Sequence, residues 1–125
     1  MPIENTAVPL VVRRDMDLNV SLEIDFGDNL DPTEVGALLE LHGRRKPDDP
    51  YAILSLSSAA GTILVSAGST ATKWIVTLYA PNAYTSSLPT SEACVYALRL
   101  TPASGPSYRI VSGALDIRGY VATPA

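Results

Sequence analysis

The stretch Leu18-Asn19-Val20-Ser21-Leu22-Glu23-Ile24-Asp25-Phe26 decides the fold, because its apolar and polar residues alternate without a break. Successive side chains of a β-strand point to opposite faces, whereas a helix repeats its apolar positions every third or fourth residue. The stretch therefore predicts a half-buried strand of an antiparallel sheet.

The same alternation recurs along the chain and predicts further strands. It is clear at 74–79 and 95–100, it predicts a last strand over 108–117, and Val12 leads toward a short early strand. Gly113 interrupts the last run, so we expect a bulge or bend there. Between the apolar runs lie most of the 8 glycines and 10 prolines, which are typical turn residues.

Strands at this spacing predict an all-β fold, namely an immunoglobulin-like antiparallel β-sandwich of seven or eight strands with at most one short helical turn. We expect a single domain over residues 1–125, with a core at about 8–118 and a C-terminal tail at 119–125. A helix competes only near Asp31, which is able to cap a turn at Pro32–Val35. The sequence allows either a helical or a non-helical turn there, and residues 37–42 are expected to continue as a strand.

The 125 residues contain one cysteine, Cys94, so an intramolecular disulfide cannot form. We interpret Cys94 as a small buried side chain on a strand. Near the N-terminus, Glu4 stands where an export signal has basic residues, and Pro9 interrupts a short apolar run. The sequence therefore predicts neither an export signal nor a membrane span.

Charge is distributed unevenly. Residues 1–50 contain 11 acids and 5 bases, a net charge of −6, whereas residues 51–125 contain 2 acids and 4 bases, a net charge of +2. The total of −4 argues against nucleic acid as a partner, because affinity for phosphates comes from clustered Lys and Arg. Between residues 51 and 91 the only charged residue is Lys73, which predicts a surface covered by another subunit. A merely uncharged Ser/Thr-rich surface is the alternative.

Few residues suit catalysis. His42 is the only histidine, so multi-histidine metal sites are excluded and a Ser-His or Cys-His pair would depend on this one residue. Asp15 with Asp17, or Glu23 with Asp25, would share a strand face, but that polar face lacks the desolvation that a general acid needs. The acids at 25–34 do not have the spacing of the twelve-residue calcium loop. We predict no enzymatic activity, no cofactor and no metal.

Four residues are structural or interface candidates: Trp74, Thr77, Tyr79 and Tyr96. Tyr96 follows Leu88-Pro89 near the start of a late strand, where a sandwich tyrosine commonly returns its hydroxyl to the backbone upstream. Trp74 is either a core anchor or an interface anchor. Thr77 and Tyr79 lie on the same strand within the uncharged stretch.

The order of these features resembles a family of small virion proteins of tailed bacteriophages, which are similar to the N-terminal domain of phage upper baseplate proteins. The resemblance covers residues 13–118. Ala97 departs from the family's usual acidic residue, and Arg14 stands where glycine is usual. The matching features are Arg14-Asp15, the strand 18–26, Asp31-Pro32-Thr33, the strand ending at Arg44, the Ser-rich strand 53–57 before Gly61, the strand 74–78, Leu88-Pro89, Tyr96-Ala97-Leu98, and the strand 110–117 around Gly113.

The resemblance implies a non-enzymatic structural protein of the virion, made in the host bacterial cytoplasm, that contacts other virion proteins and forms a homo-oligomer. A place in the tail, baseplate or neck is expected, with capsid decoration or a head fibre as the alternative. Two other classes stay open. A carbohydrate- or receptor-binding module would stack sugars on Tyr51, Tyr79, Tyr84 and Tyr108, and a small hydrolase would need paired carboxylates in a pocket.

Overall fold

The computed structural model describes residues 9–14, 16–27, 30–46, 49–88 and 91–118. These residues form eight strands and one four-residue helix, so the predicted fold class is confirmed. The elements are β1 (Leu10–Arg13), β2 (Leu18–Asp25), β3 (Leu38–Arg44), β4 (Leu54–Ser57), β5 (Ile63–Ala67), β6 (Lys73–Ala80), α1 (Asn82–Thr85), β7 (Ser91–Thr101) and β8 (Tyr108–Arg118).

The strands form two sheets with the strand order of an immunoglobulin-like sandwich. One sheet has the order β1-β8-β7-β3-β4 and the other has the order β2-β6-β5. The strands β8-β7-β3-β4 correspond to the G-F-C-C′ arrangement of immunoglobulin domains and β2-β6-β5 to B-E-D, with β1 beside β8 as the fifth strand of its sheet. All pairings are antiparallel except the one between β1 and β8, which is parallel. The alternation pattern predicts strands but does not give the direction of their neighbours.

One hydrophobic core lies between the sheets. Its side chains come from alternate positions of facing strands, as with Leu39 and Leu41 on β3 and Val76 and Leu78 on β6. Cys94 is 2% exposed and belongs to this core, which confirms its interpretation as a buried strand residue.

The segment between β2 and β3 forms turns rather than a helix. The N–H of Glu34 donates to the Asp31 carbonyl at 3.2 Å, and the N–H of Ala37 donates to the Glu34 carbonyl at 3.0 Å. The Asp31 carboxylate accepts the Thr33 N–H at 2.8 Å, so Asp31 does cap the turn. The helical alternative at Pro32–Val35 is therefore wrong, because these local bonds close separate turns that do not propagate.

The bulge expected at Gly113 lies elsewhere. Gly113 pairs in register with Tyr96, and the β7–β8 register instead shifts between Leu98 and Arg99 and again between Ser91 and Cys94. At the first shift, β8 contains an extra residue, Ile110. Its burial explains the irregularity, because Ile110 and the next residue both lie in the core. The predicted tail 119–125 lies outside the described residues.

Candidate functional site

The outer surface of the three-stranded sheet is largely uncharged. We define the β5–β6 face as the outward residues Leu64, Ser66, Ile75, Thr77 and Tyr79. Leu64 is 57% exposed and Tyr79 is 37% exposed, although both are large apolar or aromatic side chains. This face is continuous because Leu64 lies directly opposite Thr77 and Ser66 lies opposite Ile75.

Strand β2 extends this face at one end and limits it at the other. Asn19 pairs with Tyr79 and Ser21 pairs with Thr77, whose hydroxyl lies 2.9 Å from that of Ser21. At the far end, the exposed Glu23 pairs with Ile75 and Asp25 pairs with Lys73. The uncharged area is therefore bounded by charged residues on one side.

The four predicted candidate residues do not form one site. Thr77 and Tyr79 share the β5–β6 face, but Trp74 points to the opposite side of β6 and packs against the core. Tyr96 lies in the other sheet, on β7, and is 2% exposed. Of the two roles considered for Trp74, its position favours that of core anchor.

A tyrosine that joins the two sheets is present at Tyr84, in helix α1. Its hydroxyl accepts the N–H of Ser55 at 2.9 Å and donates to the Ser55 carbonyl at 3.3 Å. Ser55 belongs to β4, an edge strand of the five-stranded sheet. Tyr84 therefore occupies both backbone groups of an exposed sheet edge, a position at which unwanted strand pairing begins in other proteins. For Tyr96, a hydrogen bond from its hydroxyl to the backbone upstream stays a prediction.

Helix α1 is tied to the β1–β2 turn by a buried hydroxyl. Thr85 is fully buried, and its hydroxyl lies 2.9 Å from the Met16 carbonyl. The Ser86 hydroxyl donates to the Arg14 carbonyl at 2.7 Å. Sequence patterns did not indicate this cluster, because the bonds join residues about seventy positions apart.

The carboxylates considered for catalysis accept hydrogen bonds from loop backbone. Asp17 accepts the N–H of Asn82 at 2.6 Å, and Asp25 accepts that of Gly27 at 2.9 Å. Glu23 accepts both the N–H and the hydroxyl of Ser69, at 2.8 and 3.0 Å. These bonds give the carboxylates structural roles in loops and turns. Asp15 lies outside the described residues.

Metal-binding clusters are absent from the described part of the chain, where no group of three or more His, Cys, Asp or Glu side chains converges. His42 lies on the outer face of β3, and its Nε2 is 3.9 Å from the carboxylate of Glu40. No helix among the described residues is long and apolar enough to cross a membrane.

A shallow groove of about 350 Å³ on the outer face of the five-stranded sheet is a feature that sequence reasoning missed. Its lining includes Arg44, Arg99, Arg109 and His42 together with small residues such as Ala97. The arginines come from three strands, so only the sheet order brings them together.

Comparisons with known proteins add little to this description. No protein-family profile matches the chain, and no curated protein matches it. Among solved structures, the chain is similar to the one described as "Crystal Structure of the ZIG-8-RIG-5 IG1-IG1 heterodimer, monoclinic form", with 9% identity and a TM-score of 0.35. The alignment covers 90% of this chain and 84% of that chain. A likeness at this level supplies no functional inference, so the class defined here, an immunoglobulin-like β-sandwich domain, rests on the strand order.

Proposed function

We propose that this protein is a non-enzymatic structural protein that assembles with neighbouring subunits through the β5–β6 face. The observation that carries the proposal is the exposure of Leu64 and Tyr79 on a face whose five residues carry no charge. Monomeric proteins rarely leave such surfaces open, because charged residues on strand faces maintain solubility.

The resemblance described above supports a place in the virion of a tailed phage. The tail, baseplate or neck is the first choice, and capsid decoration or a head fibre is the second. The partners are other virion proteins and further copies of this chain. The structural roles of Asp17, Glu23 and Asp25 support the non-enzymatic part of the proposal.

The test is a lysine substitution within the β5–β6 face. Leu64→Lys places a charge at a position that is already 57% exposed, so the fold should tolerate it. Burying that charge in an interface is costly, and we expect the assembly to dissociate in sedimentation experiments. Thr77→Lys should have the same effect.

The matched control is Val11→Lys, because Val11 is a 37% exposed apolar strand residue in the other sheet. It should leave the assembly intact. An assembly that survives both Leu64→Lys and Thr77→Lys would rule out the β5–β6 face as the interface.

A carbohydrate-binding function is the second candidate, and the 78% exposure of Tyr51 favours it. The four tyrosines do not form one stacking surface, however, since Tyr84 and Tyr108 pack against the core. Glycan-array binding that disappears in Tyr51→Ala would support this function, and an array without any binding would count against it.

A further inference from the structure

Each of the two sheets ends in two edge strands, whose outward backbone N–H and C=O groups are able to pair with a further strand. β1 and β4 are the edges of the five-stranded sheet, and β2 and β5 are the edges of the three-stranded sheet. Proteins commonly protect such edges with charged residues, with proline or by covering them. Charge and proline serve at two of these edges, because Pro9 precedes β1, which ends at Arg13, and β2 contains Glu23 and Asp25.

The β4 edge is protected by hydrogen bonds. Ser55 and Ser57 are the residues of β4 whose backbone groups point away from β3. The Tyr84 hydroxyl binds both backbone groups of Ser55. The Ser57 N–H donates to the Thr62 hydroxyl at 2.8 Å, and the Ser57 carbonyl accepts the Thr62 N–H at 3.1 Å. Both outward residues of β4 are therefore occupied.

The β5 edge lacks these protections. Its residues, Ile63–Ala67, include no charge and no proline. The Tyr79 N–H donates to the Thr62 carbonyl at 2.9 Å. At the other end of the strand, the Gly68 N–H donates to the Lys73 carbonyl at 3.0 Å. Backbone groups in an antiparallel strand alternate between its two sides, so the even-numbered residues of this segment face β6 and the odd-numbered ones face away.

Two outward residues of β5 are accessible. Ile63 is 1% exposed, so its backbone groups are covered. Val65 is half-buried and Ala67 is exposed, and no hydrogen bond among the described residues reaches their outward N–H or C=O groups. The open part of this edge is therefore the short segment around Ser66.

We propose that β5 pairs with β5 of a second copy of this chain, in antiparallel orientation, about a two-fold axis at Ser66. Val65 then lies opposite Ala67 of the second copy, and Ala67 lies opposite its Val65. Each pair exchanges two N–H···O=C bonds, so the accessible outward groups of both copies are satisfied. The joined sheet has the order β2-β6-β5-β5-β6-β2. Such an interface is isologous, because the same segment serves on both sides.

The side chains favour a second copy as the occupant. Ser66 meets Ser66 of the second copy on the outer face, where the two hydroxyls can hydrogen-bond as those of Ser21 and Thr77 do at 2.9 Å. Leu64 lies opposite Gly68, which has no side chain to clash with it. No charged residue of β5 meets its own copy, since the strand contains none. The contact uses the edge of β5 rather than the β5–β6 face, so it does not rest on the proposed function.

Disulfide trapping tests this register. Residues that meet as Ser66 does lie about 4.5 Å apart between Cα atoms, which is within the range of a disulfide. Ser66→Cys should therefore form a covalent dimer under mild oxidation, and the native Cys94 does not compete because it is 2% exposed. The matched control is Thr77→Cys on the same face. Its two copies are separated by both β5 strands, about 14 Å at the spacing of a sheet, and should not cross-link.

Proline tests the backbone part of the contact. Ala67→Pro removes an N–H that points away from β6, so it takes one hydrogen bond from each proposed pair and none from the ladder within the chain. It should raise the dissociation constant in sedimentation equilibrium roughly tenfold or more, and slow the cross-linking of Ser66→Cys, while the circular dichroism spectrum stays that of the wild type. Asn19→Pro makes the same change on β2, the other edge of this sheet, and should associate as the wild type does.

A charge pair tests the same register without changing the backbone. Ser66→Lys and Ser66→Glu should each associate more weakly than the wild type, because like charges then meet across the axis, and an equimolar mixture of the two should restore association.

The edge pairing and the proposed function fail separately. A Ser66→Cys protein that stays monomeric under oxidation, although its thiol reacts with a labelling reagent, would overturn the edge pairing. Cross-linking that Ala67→Pro leaves unchanged, or two charged variants that do not rescue each other, would also overturn it. Thr77→Lys should reduce a larger assembly to edge-paired dimers. If it and Leu64→Lys leave the assembly unchanged while Ser66→Cys still cross-links, the proposed function fails and the edge pairing stands.

Discussion

Tyr84→Phe tests how the two sheets are joined at the β4 edge. The substitution keeps the ring, which packs against the core, and removes only the hydroxyl that binds both backbone groups of Ser55. Because Ser55 is exposed, water can replace part of what is lost. We therefore expect the free energy of unfolding to fall by about 0.5–1.5 kcal/mol, which is typical for a hydrogen bond that water can partly replace.

The assay is urea denaturation followed by circular dichroism, supported by thermal unfolding. For a domain of this size the expected loss corresponds to a decrease of about 2–6 °C in Tm. Tyr84→Ala also removes ring packing and should lower the free energy of unfolding by about 2–4 kcal/mol. Tyr51→Phe is the matched control, since its side chain is 78% exposed and should leave stability unchanged. If Tyr84→Phe is as stable as Tyr51→Phe, the hydroxyl does not hold the edge.

Three further predictions concern single side chains. Thr85→Val removes a buried hydroxyl that donates to carbonyls of the β1–β2 turn, and should lower the free energy of unfolding by about 1–2 kcal/mol in urea titrations; unchanged stability would contradict this. Gly43→Ala places a Cβ against the buried side chain of Leu115, closer than van der Waals contact allows, and should lower the free energy of unfolding by about 1–3 kcal/mol in the same assay. A neutral or stabilising effect would show that the core rearranges to make room. Thr33→Val should raise the lowered pKa of Asp31 toward its ordinary value of 3.8, measured by NMR titration of the carboxyl carbon. A carboxyl group whose pKa is lowered in the folded state stabilises the fold only above its unfolded-state pKa. The stability difference between Thr33→Val and wild type should therefore be full at neutral pH and disappear as the pH falls through the folded-state pKa of Asp31. If the pKa of Asp31 does not move, Thr33 does not cause its lowering.

Period-two patterns sufficed to predict the principal strands. The alternation at 18–26 gives β2, and the runs at 74–79 and 95–100 give β6 and β7, because one face of each strand packs on the core. Local signals were less reliable. Asp31 and Pro32 have the residue types of a helix start, yet the one helix described begins at Asn82, where the chain crosses between the sheets.

The features closest to function depend on contacts between distant parts of the chain. The bulge at Ile110 follows from core packing, and no glycine marks it in the sequence. The arginine groove assembles from β3, β7 and β8, and Tyr84 reaches Ser55 across 29 positions. Charge patterning predicts a surface covered by another subunit in the uncharged stretch, and this stays a prediction. Half of the strand residues in that stretch point into the core, as Trp74 does.

The most direct test of assembly through the β5–β6 face is the solution mass of the purified chain, measured by light scattering over a concentration series at high ionic strength. Assembly through this uncharged face should persist under these conditions, because salt screens charges but leaves apolar contacts in place. The account predicts a stable trimer or higher assembly, which Leu64→Lys dissociates and Val11→Lys does not. A strict monomer of 13.2 kDa at every concentration would contradict it.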